Sequence, residues 1–245
     1  MDSAFDERTV RAAITLASRA PSIHNTQPWL LRLCGWSIEL LADRTRALPV
    51  NDPLDRELTI SCGCALLNLR IAAAAAGLQA DVEVLADEAE GDLLARVRLA
   101  RSPAPLSDAE FASAIAERRT CRERFAATAV DAQTLRPLVE AAASEGATLT
   151  VLERSDQRLG AAALVAEGDA VLWANPSWRR ELAAWMHPRR RGDGLTLPAL
   201  AVPVAQAVHG VERFAGLARR FDIVGIAGGI TVIDDFGHNP DKTAA

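Results

Sequence analysis

The sequence predicts an α+β fold in which helices alternate with short strands, laid out as two runs of the same plan. Three observations carry this. Residues 6–19 place Val10, Ala13, Ile14 and Ala17 at spacings of three and four, the mark of an amphipathic helix. Two pairs of strand-like runs come next, Trp29–Leu33 with Ser37–Ala42 and Asp81–Ala86 with Leu94–Ala100. Between the pairs lies the most apolar stretch of the chain, Leu54–Ala76, which is far too long for a strand.

In chain order, Asp6 and Glu7 put negative charge at the start of the first helix, where the helix dipole favours it. A proline-rich loop, Ala20–Trp29, ends that helix. Because a residue before proline is driven out of the helical region, Ala20 and Gln27 are expected to be extended. Gly35 joins the first two strands into a hairpin, and a charged turn (Asp43–Arg46) and a second turn (Pro49–Pro53) lie beyond it. Leu54–Ala76 is apolar on nearly every side, so it is expected in the middle of the fold, with Gly77 closing it. Val82 with Val84 and Val97 with Leu99 alternate as in half-buried strands, and Ser107 is a good N-cap for the helix after it.

The second run is weaker. Asp108–Arg118, Ala132–Ala143, Gln157–Trp173 and Ser177–Met186 read as helices, and Thr148–Leu152 as a strand. Arg189–Gly194 is a flexible basic loop, and Leu195–Val208 is apolar but interrupted by Pro198 and Pro203. Composition fits a globular protein, with 49% hydrophobic and 24% charged residues over 245 positions. A net charge of −5 gives no field to attract nucleic acid or an anionic membrane surface. The acidic N-terminus lacks a signal-peptide core, and the expected location is cytoplasmic. Cys34, Cys62, Cys64 and Cys121 lack zinc spacing and read as small buried residues, with a free thiol possible only at Cys121; no metal is expected.

The loop Pro21-Ser22-Ile23-His24-Asn25-Thr26-Gln27-Pro28-Trp29 presents five polar side chains on a stiff backbone, which suits a planar ligand rich in hydrogen-bonding groups. It resembles the signature loop of the nitroreductase family of FMN proteins, and its variant is similar to that of the actinobacterial Acg subfamily. Supporting stretches are Ala42–Pro49, Arg56–Gly63 and Asp193–Pro203, so the resemblance spans residues 5–208. Arg118-Arg119-Thr120-Cys121-Arg122 resembles the phosphate motif of the same family, with its Phe one residue late at Phe125. Guanidinium groups hold a phosphate dianion with bidentate, charge-assisted hydrogen bonds.

The resemblance implies FMN as cofactor and NAD(P)H as reductant. Pro21, Ser22, Ile23 and Asn25 are then expected along the flavin ring, and Arg118, Thr120 and Arg122 on its phosphate. The reaction it implies is hydride transfer through the flavin to a small-molecule acceptor, a nitroaromatic or a quinone, with no catalytic side chain required; His24 is expected as a structural partner. In family members the flavin lies between two subunits, one bringing the arginine motif and the other the proline loop. Here residues 1–105 hold the loop without the arginine motif, and residues 106–208 the reverse. That implies an internally duplicated pseudo-dimer, C-terminally incomplete, holding one FMN per chain as a monomer or weak dimer. An FMN store without turnover and an inactive truncated chimera stay open as alternatives.

Residues 209–245 change character. Phe214–Gly225 and Gly229–Pro240, including Val232-Ile233-Asp234-Asp235 and His238-Asn239-Pro240, resemble the opening of a Mur ligase C-terminal domain. There is no Gly-x-x-x-x-Gly-Lys-Ser/Thr phosphate loop, so ligase activity is excluded, and Asp234, Asp235 and His238 read as a solvated turn. Two outcomes are open for the tail: a surrogate strand through Gly229–Ile233 in place of a missing one, or a loose segment. In the inactive alternative the chain is a truncated chimera whose tail is this Mur-ligase-like fragment.

Overall fold

The computed structural model describes residues 7–84, 91–102, 107–121, 128, 130–187, 192–196, 223–227 and 230–233. The chain divides into two compact units, residues 1–119 with 184–202 and 240–245, and residues 120–183 with 203–239. The first unit therefore runs past residue 105 and takes in the start of the arginine motif.

The first unit is built on helix α1 (Glu7–Ala17), strands β1 (Trp29–Cys34) and β2 (Ser37–Ala42), helix α2 (Arg56–Ala75), strands β3 (Leu78–Val84) and β4 (Leu93–Arg101), and the short helix α3 (Ala112–Glu117). The strands form one antiparallel sheet in the order β1-β2-β4-β3. Alternation does what a two-sided sheet requires. Ile38, Leu40 and Ala42 of β2 and Leu93, Ala95, Val97 and Leu99 of β4 all point to one buried face. Val10, Ala13 and Ala17 of α1 and Leu69, Ala72 and Ala73 of α2 pack onto that face with Ile38, Val97 and Leu99.

The opposite face carries charge in register. Arg32 lies opposite Glu39, Glu39 opposite Arg96, and Arg96 opposite Glu83. Glu39 accepts from Arg32 at 2.5 and 2.8 Å and from Arg96 at 3.3 Å. The Arg32 hydrogen bond holds the Glu39 carboxyl below the usual carboxylate range.

Helix α2 is half buried rather than enclosed: Leu58, Cys62, Ala65 and Leu69 face the core, whereas Ile60 is exposed. It is long and apolar enough to cross a membrane by length and composition, with a mean hydropathy of 1.6 in its most apolar window. Its inner stripe instead meets α1 and the sheet. Its start is held by a residue of the turn ahead of it. Asp55, with φ +52°, precedes the helix without capping it, while buried Asp52 accepts from the amides of Arg56 and Leu58, both at 2.9 Å. Gly77 closes the helix with φ +71°.

Residues 108–118 form a 3-10 turn, Ser107–Phe111, leading into α3, rather than one helix. Among the described residues the first unit also holds a two-residue parallel pair, β5 (Met186–His187) with β6 (Leu195–Thr196).

The second unit carries helices α4 (Ala132–Ser144), α5 (Ser155–Ala174) and α6 (Pro176–Ala184), the last of which runs to the unit's edge. Trp173 and Trp178 meet edge to face across the α5–α6 corner, with centroids 5.0 Å apart. The strand expected at Thr148–Leu152 does not form. Among the described residues that stretch finds no ladder partner, and an extended segment is a strand only when another pairs with it. Strands β7 (Ile223–Ala227) and β8 (Ile230–Ile233) pair with each other as a separate antiparallel ribbon. Phe125, Arg189–Arg191, Asp234, Asp235 and His238 lie outside the described residues.

Candidate functional site

The proline loop is pinned at its ends and partly open in the middle. Ala20 and Trp29 are buried in a cluster with Leu40, Leu58, Cys62 and Ala65, and Pro28 is fully buried. The Cys62 thiol donates to the Pro28 carbonyl at 3.2 Å, and burial pushes that thiol up to about 12. Between these anchors Pro21 is exposed, and Ser22, Ile23, His24 and Asn25 are partly exposed.

Inside the loop the backbone leaves the ordinary regions. Ile23–Asn25 make a single 3-10 turn, and His24, Asn25 and Gln27 have φ of +47°, +54° and +52°. Gln27 is therefore left-handed rather than extended. Its amide donates to Ser22 Oγ at 2.9 Å and its side-chain amide donates to the Gly192 carbonyl, and these two bonds outweigh the extended preference ahead of proline. Left-handed backbone costs a non-glycine residue on the order of 1–3 kcal/mol, so three such residues in four persist only under outside constraint.

That constraint comes from Gly192–Gly194. Asn25 and Gly194 exchange hydrogen bonds, Gly194 N to Asn25 O at 3.0 Å and Asn25 Nδ2 to Gly194 O at 3.1 Å. Arg46 donates through Nη1 to the Thr26 carbonyl and to Asp193 Oδ2, both at 2.8 Å, and its Nε lies 3.3 Å from Asp43 Oδ2. Beside these residues opens a groove of about 430 Å³, rimmed by Gln27, Asp43, Arg46 and Asp193. The family resemblance runs through the stretches around Arg46 and Asp193 but assigns neither residue a role.

The arginine motif is divided. Arg118 lies in the first unit, just past α3, and its Nη2 donates to the Arg19 carbonyl at 3.3 Å, two residues ahead of Pro21. Its side chain is exposed, and a guanidinium carries five donors in a planar fork. Its charge also opposes the rise that burial imposes on the Cys64 thiol of α2. Thr120 is exposed and falls in the second unit, and Arg122 lies outside the described residues. The structure thus brings Pro21, Ser22, Ile23, Asn25 and Arg118 together within one unit.

No protein-family model matches the chain. A Mycobacterium tuberculosis protein named "Putative NAD(P)H nitroreductase" is 36% identical over 198 residues, covering 81% of this chain and 56% of that relative. The chain belongs to the nitroreductase family. A second family relative from the same organism, named "Putative NAD(P)H nitroreductase acg", is 39% identical over 82 residues, covering 34% of this chain and 25% of that relative. This nitroreductase-family chain spans little more than half the length of the first of these relatives. A nitroreductase-family crystal structure from Streptococcus pneumoniae is 16% identical, covers 44% of this chain and 86% of that one, and has a TM-score of 0.35, too low to carry an argument. A stretch of 46 residues is 46% identical to UDP-N-acetylmuramate–L-alanine ligase of Sorangium cellulosum, 19% of this chain against 10% of that enzyme.

The donor set fits a flavin mononucleotide in kind. Among the described residues Ser22 Oγ accepts from Gln27 N and Asn25 Nδ2 donates to Gly194 O, and a hydroxyl and an amide carry both donors and acceptors, as a ring edge with both requires. Arg118 offers exposed, charged donors for a phosphate.

Proposed function

We propose that this protein is an FMN-binding, NAD(P)H-dependent oxidoreductase that reduces nitroaromatic or quinone-like acceptors. The observation that carries the reading is the placement of Arg118, whose exposed guanidinium stands at the foot of the loop that carries Ser22 and Asn25. A phosphate anchor and a ring-recognition loop then share one scaffold. The names carried by the relatives support the same activity class.

Pro21 and Ile23 would lie along the ring, Ser22 and Asn25 would bond its polar edge, and Arg118, Thr120 and Arg122 would hold the phosphate. FMN, once bound, supplies the hydride acceptance and donation. The chain's part is to orient the ring, exclude water and fix the phosphate. One flavin per chain, a monomeric or weakly dimeric state and a cytoplasmic location go with this reading, as does an origin by internal duplication.

The test is the colour of the purified protein. A flavin spectrum that titrates to one FMN per chain and bleaches under anaerobic NADPH is expected. Changing Arg118→Ala together with Arg122→Ala should weaken FMN at least about tenfold, since a charge-assisted bond contributes about 1.5–3 kcal/mol before solvent screening. Unchanged retention in that variant refutes the phosphate assignment. A colourless protein that takes up no FMN sinks the proposal and leaves an inactive remnant.

A second reading, a flavin holder without turnover, is favoured by one observation. Gly192–Gly194 are already bonded onto Asn25 and Gln27, as in a closed site. Flavin that stays oxidised under NADPH would select it.

A further inference from the structure

We infer that Arg46, working through Asp193, is the positioning residue that holds the 22–27 loop in its ligand-ready shape. The affinity part of this inference rests on the flavin reading above; the conformational part does not.

Three non-glycine residues of the loop, His24, Asn25 and Gln27, sit at positive φ. The loop's own bonds are few: Asn25 N to Ser22 O at 3.0 Å, Thr26 N to Ile23 O at 2.9 Å, and Gln27 N to Ser22 Oγ. Bonds of this kind close an ordinary turn and do not by themselves select the left-handed region. Selection comes from two remote stretches. Arg46, in the turn after β2, grips the Thr26 carbonyl at the centre of the loop. With the same nitrogen it grips Asp193, so that Gly192 and Gly194 on either side are brought to Gln27 and Asn25.

One guanidinium therefore ties together segments 20 and 147 residues away from it in sequence. It is suited to this because its planar fork serves several acceptors in fixed geometry, which a lysine ammonium on a flexible stem does not. Arg46 is about one-third exposed and Asp193 about one-quarter, 34% and 27%, so solvent screens the pair without dissolving it. The clamp acts on the loop backbone, so neither Arg46 nor Asp193 has to touch a flavin for it to work.

The experiment is hydrogen–deuterium exchange on the full chain without added flavin, followed by FMN titration of the same samples. The variants are Arg46→Ala, Arg46→Lys and Asp193→Asn. Arg44→Ala is the control, because Arg44 spends its charge on Asp55 and Asp92 and not on the loop. In Arg46→Ala the amides of Thr26, Gln27 and Gly194 are expected to exchange about tenfold faster, while those of β4 keep their protection. Arg46→Lys should recover only part of the loss, and Arg44→Ala should match the parent.

FMN should bind about tenfold more weakly to Arg46→Ala, in step with the exchange. Unchanged exchange at Thr26 and Gln27 overturns the clamp, whatever the flavin does. Faster exchange with unaltered FMN affinity overturns its role in the site and leaves the proposed function standing. A parent chain that takes up no FMN overturns the flavin reading, and the clamp is then decided by exchange alone.

Discussion

Replacing Asp52 by Ala should unfasten the start of α2. The Asp52 carboxylate is 5% exposed and accepts from two backbone amides, Arg56 N and Leu58 N, both at 2.9 Å. These are amides at the helix start that no carbonyl within the helix serves. Asp55, the residue at the cap position, supplies no side-chain cap, so nothing else is placed to take over. A helix cap is worth about 0.5–2 kcal/mol, and a buried hydrogen bond to a charge about 1.5–3 kcal/mol. With two such bonds lost and water admitted only partly, the cost comes to about 2–3 kcal/mol. Asp52→Asn keeps one oxygen acceptor and should cost roughly 1 kcal/mol. Thermal unfolding followed by far-ultraviolet circular dichroism checks both, with Asp52→Ala lowering the transition of the first unit by roughly 5–10 °C. If Asp52→Ala and Asp52→Asn lie within a degree of the parent, α2 is held from its packed face alone and the capping argument is wrong.

The sheet and the thiols give two more expected outcomes. Because the folded Glu39 carboxyl is held below its ordinary value by Arg32, the cross-strand Arg32–Glu39–Arg96 row stabilises the sheet above the unfolded carboxylate pKa, near pH 4. That contribution is lost as pH falls through the lowered folded value. Glu39→Gln should therefore flatten the acid limb of a stability–pH profile, and a limb of unchanged steepness would contradict the assignment. Of the four cysteines, exposed Cys34 and Cys121 should react with a thiol reagent within minutes at pH 8. Cys64 should lag, and Cys62, pushed up to about 12, should label only on unfolding. Mass mapping of the labelled peptides reads the order, and early labelling of Cys62 would contradict its burial against Pro28.

The long helices and the sheet of the first unit are legible in the sequence because they are fixed by short-range periodicity. The stripe Val10, Ala13, Ala17 and the alternations through Ile38–Leu40 and Val97–Leu99 describe one face of a helix and one face of a sheet, and those faces are buried. Length and apolar content likewise locate α2, although they overstate its burial: Ile60 looks out, since a helix packed against one sheet and one helix still has a free side. The loop at Ala20–Trp29 and the arginines at Arg118 and Arg122 are recognisable by their resemblance to nitroreductase motifs, whatever their spatial relation.

The spatial relation itself belongs to tertiary structure. Local rules put Gln27 in an extended conformation ahead of Pro28, and hydrogen bonds to Ser22 and to Gly192 turn it left-handed instead. Cys34 is expected to be buried by residue type, but its place on the outward side of edge strand β1 exposes it. Thr148–Leu152 has the residues of a strand and, among the described residues, no partner to pair with. The bond from Arg46 to Asp193 spans 147 residues, and no local pattern encodes a contact at that distance. The sequence by itself determined α1, α2 and the four strands of the first sheet, because those depend on neighbours a few residues away. Only the tertiary structure decided the shape of the loop and which residues hold it, because that shape is set by hydrogen bonds from the far end of the chain.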